Sequence, residues 1–176
     1  MNTVVLRIFQ HEVALQCKFI VSAAHDLNAA MVIGSTDEVW KHLQIILVAS
    51  ANLSKMFWGS RGKREAARKR LRDSLAVPDD SPLRDANLRN DFEHFDERLE
   101  SWYQASEHRN YVGRGIGPPS GVAGAVETDR FQNFDHTTGV VTFWGHSVSV
   151  NEVVEEANRI LPIAQVEARE PPWDED

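Results

Sequence analysis

The sequence predicts a mainly α protein: a helical bundle with a small β-hairpin before the C-terminal helix. Three observations carry this expectation. Apolar residues recur at helical spacing over long stretches, two Ser-x-x-Glu patterns mark helix starts, and two short apolar segments flank a turn-rich pentapeptide. At 176 residues, with 42% hydrophobic and 26% charged side chains, the chain fits one globular domain with a substantial core. That domain is expected to span residues 1–168, with the hairpin inserted at about 128–145 and a flexible acidic tail at 169–176.

Residues 3–29 are apolar at nearly every helical phase except a stripe at Arg7, His11, Lys18, Ser22 and His25, which predicts a long helix with a narrow wet face. Gly34 can end it, and Ser35-Thr36-Asp37-Glu38 is a capping box for a second helix from about Thr36 to Trp58. Val39, Leu43, Ile46, Leu47, Leu53, Met56 and Phe57 of that helix would form the centre of the core, and Gly59 and Gly62 break it. Residues 61–72 hold seven basic side chains opposed only by Glu65, and propensity favours a third, exposed helix ending before Pro78.

Ser81-Pro82 signals a fourth helix, with serine at the cap and proline at the first helical position. Within it Leu88, Phe92, Phe95, Leu99 and Trp102 repeat with spacings of four and three, the cleanest periodic stripe of the chain. The glycines and prolines of residues 111–124 predict a flexible loop. Phe131–Phe134 and Val140–Trp144 then flank Asp135-His136-Thr137-Thr138-Gly139, a hairpin pattern. A second capping box, Ser149-Val150-Asn151-Glu152, opens a final helix that packs Val153, Val154, Ala157, Ile160 and Leu161.

Composition narrows the function classes. A net charge of −7 argues against a general nucleic-acid coat protein while leaving room for a local basic site. Cys17, the lone cysteine, falls in an apolar helical pattern and reads as a buried, reduced thiol of a cytoplasmic protein. Met1–Arg7 lacks a signal-peptide pattern. Leu43–Trp58 is too short and too interrupted for a bilayer span, so no membrane association is expected. His11, His25, His42, His108 and His146 are scattered without a second ligand at useful spacing, so neither a metal nor another cofactor is expected. Asp91, Glu93, Asp96, Glu97 and Glu100 read as a wet acidic surface.

The candidate chemistry sits in residues 87–95. On a helical wheel Asn90 and His94 share the face away from the apolar stripe, with Arg89 on one flank. An arginine fork holds phosphate oxygens, and histidine is suited to moving protons near neutral pH. Together they suit RNA cleavage, in which the ribose 2′-hydroxyl attacks its own phosphate and no metal is required. An outward polar face also suits a site shared across a dimer. The same residues read equally as a solvated helix face, with Arg89 paired to Asp85 or Glu93. The basic block likewise has two readings: a phosphate-binding arm of Arg61, Lys63, Arg64, Arg68 and Lys69, or a solvated helix.

Arg89-Asn90-x-x-x-His94 resembles the Arg-x4–6-His motif of the HEPN superfamily, in which a polar residue directly after the arginine is typical. Arg130 and His136 repeat the spacing, but Phe131 follows the arginine and the pair runs from a predicted strand into a turn. The resemblance implies an α-helical bundle and a metal-independent, dimeric endoribonuclease, with Arg89 and His94 catalytic and Asn90 in support. It also implies a toxin or phage-defence role acting on RNA, with an antitoxin or defence-system protein as partner. The competing expectation is a non-catalytic helical interaction module that binds a protein partner or a nucleotide.

Overall fold

The computed structural model describes residues 1–60, 63–84, 91–118 and 126–172. Helix α1 spans Thr3–Ile33, with the Asn2 side chain accepting from the Val4 amide at 2.8 Å. It ends at Gly34, whose φ of 76° places it in the left-handed region where glycine meets no Cβ penalty. Ser35 caps helix α2, Thr36–Trp58, accepting from the Glu38 amide at 3.4 Å. The two-residue connection folds α1 and α2 against each other as a hairpin. Val13, Cys17 and Ile20 of α1 and Leu43, Ile46, Leu53 and Phe57 of α2 are buried in one core.

Helix α3, Glu65–Ser74, packs on α2 and is less exposed than its composition suggests. Leu71 is buried, and so is Arg72, whose guanidinium donates to the carbonyls of Phe57 and Glu65 at 2.7 and 2.8 Å. One member of the basic run therefore ties α3 to the end of α2.

Among the described residues the expected fourth helix is not continuous. Pro82–Arg84 form a single 3-10 turn, the Ser81 hydroxyl donates to Glu156 of the last helix at 2.9 Å, and residues 85–90 lie outside the described residues. A helical turn at 91–93 breaks at His94, whose φ of −103° and ψ of 38° are not helical. Helix α4 then runs from Phe95 to Ala105. With the break, Phe92 and Phe95 both meet the ring of Phe143, at 4.9 and 6.2 Å between centroids. Trp102 is the buried anchor of α4, its indole donating to the Thr128 carbonyl at 2.8 Å.

The structure is mainly helical, with a small sheet before the final helix. The expected hairpin is present as β2, Gln132–Asp135, antiparallel to β3, Val140–Phe143. In its turn Asp135 accepts from the Thr137 amide and hydroxyl at 2.9 and 2.7 Å, and the hydroxyl hydrogen bond above all holds its carboxyl below the usual range. Two more strands extend the sheet. After a reverse turn at Trp144 and Gly145, both with positive φ, β4 (His146–Ser149) pairs antiparallel with β3. On the other side β1, Gly115–Ile116, runs parallel to β2, so this part of the expected flexible loop is an ordered sheet edge. Residues 119–124 of that loop lie outside the described residues.

Helix α5, Val150–Glu167, is capped by Ser149 and packs along α1, burying Val153, Ala157, Ile160 and Ala164. The start of the expected flexible tail is held down: Arg7 donates to the Pro171 carbonyl at 3.1 Å and to that of Glu167 at 2.8 Å. Residues 173–176 lie outside the described residues. Among the described residues, no helix is long and apolar enough to cross a membrane.

Candidate functional site

Arg89 and Asn90 lie outside the described residues; His94 is described. It stands at the break before α4 with 59% of its side chain exposed, and its Nδ1 is 3.6 Å from a Glu97 oxygen. An ion pair this long and this exposed holds the ring weakly.

The structure adds three residues that sequence reasoning did not bring together. Asp91, expected on the wet acidic surface, is only 1% exposed. It is covered by the two groups it holds: His146 Nδ1 lies 2.5 Å from its Oδ2, and Arg98 Nε lies 2.8 Å from its Oδ1. A buried anionic carboxylate is tolerated where such partners replace water. The side chains of His146 and Arg98 remain 47% and 39% exposed, so both face solvent while anchored from below.

Each position follows from local structure. The turn at Trp144-Gly145 places His146 at the start of β4, and the helical turn at 91–93 carries Asp91. On α4, Arg98 lies one turn beyond His94, whose carbonyl accepts from the Arg98 amide at 3.0 Å. The hydrogen bond to Asp91 engages His146 Nδ1 and leaves Nε2 outside it. A buried carboxylate orienting a half-exposed imidazole is an arrangement suited to proton transfer. Asp91 and Arg98 are seven apart, one helical face, which is a weak signal in a run of acidic residues. His146 is 55 residues from its partner and had no signal at all.

The basic block is divided. Arg61 lies outside the described residues, and Lys63 and Arg64 are exposed. Arg68 instead lies 4.0 Å over the Phe9 ring, and burial, followed by the nearby Arg64 charge, holds its pKa below the usual arginine range. Lys69 is committed to Asp73 at 2.7 Å. A phosphate-binding arm therefore reduces to Lys63 and Arg64 among the described residues.

Beside the histidine-bearing segment lies a cleft of about 460 Å³ between α2 and the sheet, lined by Trp40, Phe92, Phe95, Tyr111 and Gln132. Among the described residues, no three His, Cys, Asp or Glu side chains converge as a metal site. Comparison with protein-family models, curated proteins and solved structures found no match.

Proposed function

We propose that this chain is a metal-independent endoribonuclease of the HEPN type, working as a cytoplasmic homodimer in a toxin or phage-defence role. The observation that supports it is the exposed His94 on the segment whose Asp91 holds a second, half-exposed histidine, His146, at 2.5 Å. In this reading one imidazole accepts the proton of the ribose 2′-hydroxyl. The 2′-oxygen then attacks the adjacent phosphorus, and the 5′-oxygen leaves with a proton from the other histidine. Arg89 stabilises the charge gathered on the phosphate, with Asn90 in support. The products are a 2′,3′-cyclic phosphate and a 5′-hydroxyl. The regulating partner is an antitoxin or another defence-system protein.

The test is RNA incubated with purified protein in EDTA, with fragment ends analysed. Cyclic phosphate ends are expected. His94→Ala and Arg89→Ala should each lower the rate by about 10²–10⁴-fold while leaving circular dichroism unchanged. Fragments that persist in both variants would remove the reading.

A second reading, a non-catalytic interaction module, is favoured by a specific surface. Val5, Ile8, Leu15 and Phe19 form an exposed apolar stripe on α1, and Ile45 and Val48 of α2 are exposed as well. The stripe equally offers a homodimer surface. An inert wild type that captures one defined partner, with the complex lost on Phe19→Glu, would favour the module.

A further inference from the structure

The segment that carries Asp91, His94 and Arg98 also supplies Phe92, Phe95 and Leu99 to two adjoining hollows that share Tyr111. The first, of about 460 Å³, has Trp40, Phe92, Phe95 and Tyr111 in its walls. The second, of about 670 Å³, runs along α4 past Leu99, Trp102 and Tyr103. Each is large enough for a planar heterocycle.

The polar groups in the first hollow are few and informative. Gln132 lines this hollow with 4% of its surface exposed. The indole N–H of the buried Trp40 has no acceptor among the described residues. Buried donors and acceptors left unpaired are costly, and a ligand that supplies the partners removes that cost. The cations nearby are exchangeable. Arg114 pairs with the exposed Asp37 at 2.9 Å and Lys41 with the exposed Glu38 at 2.7 Å, while Arg109 lies 4.5 Å over the Tyr103 ring. Asp37 and Glu100 also line the hollows, so stacking rather than charge supplies most of the attraction.

We infer that the two hollows form one base-reading track for an unpaired RNA strand, with neighbouring bases seated on either side of Tyr111 and the base in the first hollow read by Gln132. Aromatic walls accept any base by its face, whereas a glutamine amide pairs with an edge that offers a donor beside an acceptor, which adenine presents on both its N6/N1 and N6/N7 edges and uracil only at N3–H and O4. Tyr111 is a neutral donor here, since burial pushes its phenol above the ordinary value despite nearby Arg114. The inference rests on the ribonuclease reading and gives that enzyme a base preference.

The experiment is fluorescence anisotropy of the full chain with labelled 2′-O-methyl oligo(A) and oligo(U) of about ten nucleotides, which bind but lack the attacking hydroxyl. Oligo(A) is expected to bind about tenfold more tightly than oligo(U) and than a duplex of equal length. The logarithm of affinity should fall with log salt at a slope no steeper than about −2, as for two or three phosphate contacts. Tyr111→Ala and Tyr103→Ala should each weaken oligo(A) by about tenfold with circular dichroism unchanged, and Tyr111→Phe should retain binding. Gln132→Leu should erase the A-over-U preference, weakening oligo(A) more than oligo(U). Competition by adenosine monophosphate as strong as by the oligomer would replace the strand by a free nucleotide and overturn the track. So would absence of saturable binding, wild-type affinity in both tyrosine-to-alanine variants, or an A preference that survives Gln132→Leu. Binding without cleavage of ordinary RNA in EDTA keeps the track and removes the nuclease. Cleavage with unaltered binding in the variants does the reverse.

Discussion

Replacing Asp91 by alanine removes the carboxylate from beneath His146 and Arg98, and the cost can be worked from the geometry. The group is 1% exposed and makes contacts of 2.5 and 2.8 Å. The His146 contact is a hydrogen bond to a charged group, about 1.5–3 kcal/mol, whereas Arg98 adds an ion pair without hydrogen-bond geometry, about 0–1 kcal/mol at a part-exposed site, which bounds the two at about 2–4 kcal/mol. His146 and Arg98 are 47% and 39% exposed, so water resolvates both once the carboxylate is gone, and the expected loss falls to about 2–3 kcal/mol. For a domain of this size that lowers Tm by roughly 5–10 °C. Urea unfolding followed by circular dichroism measures the loss, and a double-mutant cycle with His146→Ala isolates the pair. A coupling energy of about 1 kcal/mol or more is expected. A loss below about 0.5 kcal/mol, or a coupling within about 0.3 kcal/mol of zero, would mean that Asp91 does not hold His146 and that no oriented imidazole exists.

Three further outcomes follow from other parts of the fold. Cys17 is fully buried, and burial first, then the Glu156 charge, pushes its thiol up to about 12, so a disulfide reagent at pH 8 should leave native protein unlabelled and react once urea unfolds it; rapid native labelling would contradict this packing. Glu156 accepts from Arg159 at 2.7 and 2.8 Å and from Ser81 at 2.9 Å, with the Arg159 bond foremost in holding its carboxyl below the ordinary 4.5. A lowered native pKa gives stability that is complete above the ordinary value and fades as pH falls through the native one, so Glu156→Gln should flatten the loss of urea midpoint below about pH 4.5; an unchanged acid limb would refute it. Gly139 has φ of 71° and an added Cβ would collide with the Asn151 amide, so Gly139→Ala should cost about 1–2 kcal/mol in urea titration, and a neutral result would show the turn to be more adaptable.

How much of this was legible in the sequence depended on the range of the interaction. Caps are local, and Ser35, Gly34 and Ser149 mark helix ends where the structure places them. The hairpin register is set by alternating burial around a short turn, so β2 and β3 could be read directly. β4 has only His146, Ser147, Val148 and Ser149, with no apolar alternation to announce it, and it exists because β3 offers an unpaired edge. β1 is two residues inside a glycine-rich stretch and depends wholly on β2 for its hydrogen bonds. The helix that the stripe of Phe92, Phe95, Leu99 and Trp102 predicts is broken at His94 while two of its phenylalanines share one ring, a tertiary arrangement that periodicity cannot foresee. Of the candidate site, spacing alone singles out His94. Asp91 looked like its wet acidic neighbours, and burial beneath residues from α4 and β4 separates it from them.

Ser149 is at once the last residue of β4 and the cap of α5, so no slack links strand to helix. His146 therefore rides at the tip of a stiff lever, three extended residues or roughly 10 Å from the fulcrum, while the long arm is clamped along α1 by Ala157 and Ile160. A tilt of only about 5° in that arm swings the tip by roughly 1 Å, a misplacement that can slow a reaction about 10²-fold. Enlarging a small residue deep between α1 and α5, far from any reacting atom, should thus detune the imidazole as effectively as a change beside it.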